Sequence, residues 1–274
     1  MRRLSTAGTD WFARVHAPRM WALALMDDGK IGEGLKRLAD ADALIPEGDP
    51  YARAARAGLW EITGVGLMKL NDIDGATAAL GRYEIDLSDP DYPRPDFDAL
   101  YNLATLSAQV GDHAHAAVFY QAHHRVTRHA DLPALSIYDA NLCAVVAAAR
   151  GAPRAVLDCL EPYGRDLGPA AFLAGSLLPK RAIAYARTGQ VEKAGEDLAE
   201  IRRRIAAGEF REDSAASEIP LVEAELLFAQ GATRDAFEKL RAYHAQDKVA
   251  SASQFSAGIR QVTGDMQAQL ADRR

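Results

Sequence analysis

Six short segments of the chain carry the same punctuation: MDDGKIGEG, KLNDIDGA, QVGDHAHA, AARGAPRA, RTGQVEKA and AQGATRDA. Each holds one residue suited to closing a helix in a left-handed turn. These anchors are Gly29, Asn71, Gly111, Gly151, Gly189 and Gly231, spaced 42, 40, 40, 38 and 42 residues apart. Glycine and asparagine take that conformation at least cost. Asp72, Asp112 and Thr233 follow within two residues and are suited to cap the next helix. Pro153 suits a first helical turn, where its missing N–H costs nothing. A chain punctuated in this way is expected to fold as successive helix pairs, each covering the apolar face its neighbour leaves open.

A second register runs through the same copies. Seven residues before the anchors stand Ala22, Gly64, Ala104, Ala144, Ala182 and Ala224. Five after most of them stand Gly34, Ala76, Ala116, Ala194 and Ala236, with Ala155 one residue early in the fourth copy. Nine after stand Leu38, Leu80, Tyr120, Leu160, Leu198 and Leu240. Small residues let antiparallel helices approach closely, and the large one fills the gap between pairs. The pairs are expected over 10–45, 51–87, 96–129, 133–166, 169–207 and 214–246. Pro179 and Pro220 fall early in the fifth and sixth pairs and are tolerable only in a first turn. The segment DLSDPDYPRPDFD at 86–98 reads as a loop.

This small–turn–small register resembles the tetratricopeptide repeat, over roughly residues 12 to 246. Trp60 falls eleven residues before its anchor, where that family favours tryptophan, and the run Asn102 to Ala104 is a frequent family variant. The period differs from the family's usual 34 residues, and the proline that often ends each unit is missing or displaced. The expectation is an all-α fold, a right-handed α-solenoid of about six tetratricopeptide-like pairs over 10–246. A C-terminal amphipathic helix over 247–274 follows. Its apolar stripe is Phe255, Ile259, Val262, Met266 and Leu270. This stripe suits a cap on the last pair, or a dimerising or linking helix.

The resemblance also implies a function. Family members bind proteins or peptides in a concave groove lined by the first helix of each pair. Counting back from the anchors places Arg19, Glu61, Lys69, Asp98, Glu218 and Glu225 on that face. Its centre is Tyr101, Asn102, Thr105, Tyr138, Asn141, Lys180 and Arg187. Asparagine can hold a peptide backbone as donor and acceptor, tyrosine gives rigid contact area, and Lys and Arg suit a carboxylate. Packing of adjacent helices is an equal alternative for Tyr101 and Asn102. The Lys and Asn pattern by which some members clamp a C-terminal carboxylate is absent. The irregular period and the trailing helix are also similar to sensory arrays that precede the catalytic domain of some bacterial diguanylate cyclases and kinases. On that reading the output domain lies outside this chain, and the C-terminal helix makes a homodimer.

Other function classes are disfavoured. Lys plus Arg total 32 against 38 Asp plus Glu, a net charge of −6 without a basic stripe, so nucleic acid is not the expected partner. Arg202, Arg203 and Arg204 read as a solvated helix face. No apolar run reaches the length of a membrane span, and the start lacks a signal-peptide core, so the cytoplasm is the expected location. No phosphate-loop, dinucleotide, zinc-protease or nucleophile-elbow motif occurs, so no catalytic role and no cofactor are expected. Five of the seven histidines lie between 113 and 129, but none pair at i,i+4, so a metal site is not expected. His115 and His124 are expected in solvent, His123 near a repeat interface, and the adjacent His123 and His124 are expected to diverge. The two cysteines, Cys143 and Cys159, sit in apolar stretches and read as buried small hydrophobes, with a thiol pair or redox switch as the alternative.

Overall fold

The computed structural model describes residues 10–46, 52–83, 97–128, 133–164, 174–209 and 218–243. Every regular element among them is an α-helix. In chain order they are α1 (Asp10–Asp27), α2 (Ile31–Asp42), α3 (Ala52–Lys69), α4 (Ile73–Leu80), α5 (Phe97–Gln109) and α6 (His113–Thr127). Then come α7 (Pro133–Ala149), α8 (Pro153–Leu160), α9 (Ala174–Arg187), α10 (Val191–Ala206) and α11 (Ile219–Ala229). The last, α12, runs over 233–243. None of the described helices is long and apolar enough to cross a membrane.

The joints explain why the helices break where they do. All six anchors have positive φ, from 59° at Asn71 to 83° at Gly111. At each joint the anchor's N–H returns to the carbonyl three residues back, and the next N–H to the carbonyl five back. Asn71 N donates to Met68 O (2.9 Å) and Asp72 N to Leu67 O (2.9 Å); Gly189 N donates to Ala186 O (3.0 Å) and Gln190 N to Tyr185 O (2.8 Å). This is the Schellman closure, which satisfies the carbonyls a helix end leaves open. A further closure of the same kind at Gly208 ends α10. Asp72 caps α4 through Gly75 N (2.9 Å) and Asp112 caps α6 through His115 N (3.1 Å). Thr233 does not cap α12; it is already helical, and Ala232 takes the cap position through its carbonyl.

Other expectations shift by a residue or a turn. In the fourth copy Val156, not Ala155, is the buried residue five after the anchor. In the third copy Phe119 is fully buried and Tyr120 only half-buried. Pro220 lies in the first turn of α11, but Pro179 lies in the second turn of α9, where the hydrogen bond it lacks is a real omission. The stretch expected as a loop to residue 98 gives its last two residues, Phe97 and Asp98, to α5. The rest of that loop and the C-terminal stripe from Phe255 to Leu270 lie outside the described residues.

The described residues divide into two compact units between Phe119 and Tyr120. In the first, α1 packs on α2 and α3, α2 on α3, and α3 on α4 and α5. Its core includes Val15, Met26, Ile31, Leu38, Leu59 and Ile62. Gly34 is required here, because a Cβ would stand 2.9 Å from the Ala22 carbonyl oxygen and 2.8 Å from Met26 Cγ. An edge-to-face contact of Trp60 on Tyr83 (6.4 Å) and a tilted one of Tyr83 on Phe119 (6.2 Å) extend this core. In the second unit, α7 packs on α8 and α9, α8 on α9, and α9 on α10 and α11. Its core includes Ile137, Val156, Leu160, Leu178, Tyr185 and Ile201.

Candidate functional site

First helices of successive pairs meet along one polar row in each unit. In the first unit, Arg19 of α1 faces Glu61 of α3 at 3.6 Å, and Asn102 Nδ2 of α5 donates to the same carboxylate at 3.0 Å. Arg19 and Glu61 stand ten residues before their anchors and Asn102 nine before, so the register itself brings them together. Lys69 and Asp27, each two before an anchor, form a 2.7 Å ion pair. Tyr101 is half-buried, and Thr105 Oγ1 donates to its carbonyl at 2.9 Å. Asp98 belongs to α5, and its side chain lies outside the described atoms.

In the second unit, Asn141 of α7 is 1% exposed, with its amide 3.3 Å from Ser176 Oγ of α9. Lys180 Nζ donates to Ser176 O and Oγ, both at 2.7 Å. Burial of its ammonium pushes the Lys180 pKa down to about 8, against the opposing charge of Glu218. Arg187 of α9 pairs with Glu225 of α11. Tyr138 is half-buried on the same face of α7, three residues before Asn141. Each amide and most charges are therefore already tied to a neighbouring helix. The aromatic rings of Tyr101 and Tyr138 and the exposed Arg187 remain the accessible part of the two rows.

Several polar clusters had no counterpart in the sequence reading. His123 and His124 do not diverge. Their Nδ1 atoms reach the two oxygens of one carboxylate, Asp139 of α7, at 3.1 and 2.6 Å. Thr127 Oγ1 donates to the same Asp139 at 3.0 Å. Burial alone would raise the Asp139 pKa, but the bonds from His123 and His124, the charge on His124 and the Thr127 hydroxyl outweigh it and lower it. His123 is fully buried, whereas His115 and His124 are about half exposed, as expected. No group of three His, Cys, Asp or Glu side chains among the described residues is placed to hold a metal.

Cys143 and Cys159 are not separate buried hydrophobes. They are half-buried and form a disulfide between α7 and α8, with Cα atoms 5.9 Å apart. Arg181 of α9 and Asp197 of α10 form a buried two-pronged pair at 2.8 and 3.0 Å, and Arg181 Nη1 also donates to Tyr163 O at 2.6 Å. Of the expected solvated arginines, Arg202 and Arg203 are exposed, but Arg204 is 8% exposed and bonds Glu200 at 2.6 Å.

Concave features of the second unit include one of about 470 Å³ lined by Ala152, Pro153, Arg154, Arg187 and Thr188, and two smaller ones. One, of about 270 Å³, is lined by Tyr120, His124, Arg128, Asp139, the disulfide and Tyr163. The other, also about 270 Å³, is apolar and lies between α11 and α12, where Phe228 and Phe237 are 64% and 60% exposed. No family model matches the chain, and neither curated proteins nor solved structures yielded a match.

Proposed function

We propose that the chain is a tetratricopeptide-like array, a right-handed α-solenoid of about six helix pairs, that recognises a protein or peptide without catalysis. The observation that carries this reading is the polar row that links the first helices of successive pairs within each unit. Arg19, Glu61 and Asn102 form it in the first unit; Asn141, Ser176 and Lys180 form it in the second. Internal pairing holds these side chains in fixed positions, which lowers the entropy lost when a ligand binds. Tyr101, Tyr138 and Arg187 then supply the contacts, an aromatic and cationic set of the kind that dominates binding energy. The cytoplasm is the proposed location, with neither nucleic acid nor membrane as partner.

The test is selection of a displayed peptide library on the immobilised full chain. A shared motif is expected, captured about tenfold less by Tyr101→Ala, Tyr138→Ala and Arg187→Ala variants of unchanged melting temperature. No enriched motif, or undiminished capture by all three variants, overturns the reading.

A further inference from the structure

We propose that Cys143–Cys159 is a thiol–disulfide exchange site that takes a small carboxylate-bearing thiol in the pocket beside it. Both cysteines line that pocket and are half-buried, so an incoming sulfur has access. The crosslink joins two helices that the Schellman turn at Gly151 and the buried Val156 and Leu160 already hold together. Cys159 packs on the edge of the apolar core, and the pocket beside the crosslink is lined by ionisable side chains.

The surrounding groups match the chemistry. Asp139 precedes Cys143 by four residues on α7, which puts the carboxylate one turn away on the same face. Its lowered pKa keeps it ionised, so it accepts, and His124 donates Nδ1–H to it at 2.6 Å. The other ring nitrogen, Nε2, is then the one that carries protons to and from the pocket. Tyr120, tilted against His124 at 5.9 Å, stays protonated because burial and the Asp139 charge push its pKa up to about 12. Arg128, which already interacts within the protein, lines the same pocket and is a cation that a ligand carboxylate would meet there.

Exchange proceeds in two displacements. A thiolate from the small thiol attacks Cys159 Sγ; the Cys143–Cys159 bond breaks, and its electron pair leaves on Cys143, which takes a proton from His124. A second thiolate attacks the small-molecule sulfur of the mixed disulfide and expels the Cys159 thiolate, which is protonated from water. Two thiols become one disulfide, two electrons pass to the cysteine pair, and the protons the thiols lose restore His124 and the solvent.

The experiment uses the full chain with reduced glutathione as probe and follows free thiols by alkylation and mass spectrometry. The folded wild type is expected to open its disulfide faster than it unfolds; Cys143→Ser, given glutathione disulfide instead, is expected to take up one glutathione on Cys159 and release one reduced glutathione. His124→Gln is expected to slow opening about tenfold and flatten its pH profile, with no effect in denaturant. Arg128→Gln is expected to slow glutathione but not uncharged 2-mercaptoethanol. Opening only at the rate of global unfolding overturns the proposal, as does a His124→Gln rate and pH profile equal to wild type. Equal sensitivity of both thiols to Arg128→Gln overturns the carboxylate assignment.

Discussion

The two units are built from the same helix pairs and the same joints, yet they are fastened differently. The first relies on close approach: Gly34 beneath Met26 and the Ala22 carbonyl, and Gly64 beneath Leu80. Its charged contacts, such as Arg19–Glu61 and Lys69–Asp27, are partly solvated. The second unit adds fasteners that are covalent or buried: the Cys143–Cys159 bond, the Arg181–Asp197 pair and the Asp139 cluster with its two histidines. A solvated pair contributes little, whereas a buried one is costly to leave half-made. The shared repeat therefore sets the architecture, and the non-repeating polar groups set how firmly each unit is held.

The sharpest way to break this contrast is Arg181→Met. It takes the guanidinium away from the fully buried Asp197 carboxylate and is expected to cost the second unit about 3–5 kcal/mol. Hydrogen exchange should show the loss in α9 and α10 and not in α1 and α2; equal loss in both would mean the units open together. Adding Asp197→Leu should restore most of the stability, because two apolar groups replace a desolvated pair. A smaller effect is expected from Gly34→Ala in the first unit. Overpacking against a backbone carbonyl costs about 2 kcal/mol and helix propensity returns about 1 kcal/mol, a net loss near 1 kcal/mol in α1 and α2. The smallest is an acid effect confined to the second unit. The Asp139 pKa is lowered on folding, so its contribution is present above the ordinary aspartate value of about 4 and is lost as pH falls through the lower folded value. Acid unfolding of wild type and Asp139→Asn should converge at low pH and separate above it, with His123, His124 and Thr127 the groups that face the carboxylate.

What the sequence made legible was whatever repeats. The joints at Gly29, Asn71, Gly111, Gly151, Gly189 and Gly231 fell where the spacing put them, because only a few residues accept a left-handed turn. The residues counted back from the anchors lie on the first helices for the same reason, with Glu218 at the N-cap of α11. Their partners were not legible. Asn102 meets Glu61 from 41 residues away, about one period, but the period does not say which polar side chains pair; Arg181 meets Asp197 from 16, and no periodic pattern marks that contact. Side chains adjacent on one helix point apart, and this hides the contact that His123 and His124 share. Asp139 approaches from the next helix, and its two oxygens reach both rings. Cys143 and Cys159 lay in apolar runs that disguised their half-buried setting.

The repeated closures at the anchors also bear on how the chain is made. Each joins N–H groups to carbonyls three and five residues back, and within each unit helices pack on the next ones to emerge. Most contacts are therefore complete within one period of sequence, the condition under which folding is fast. A growing polypeptide can close one pair at the ribosome while the following pair is still being translated. The Arg181–Asp197 and Cys143–Cys159 fasteners obey the same limit, since each spans only 16 residues. No fastener of the second unit has to wait for the far end of the chain.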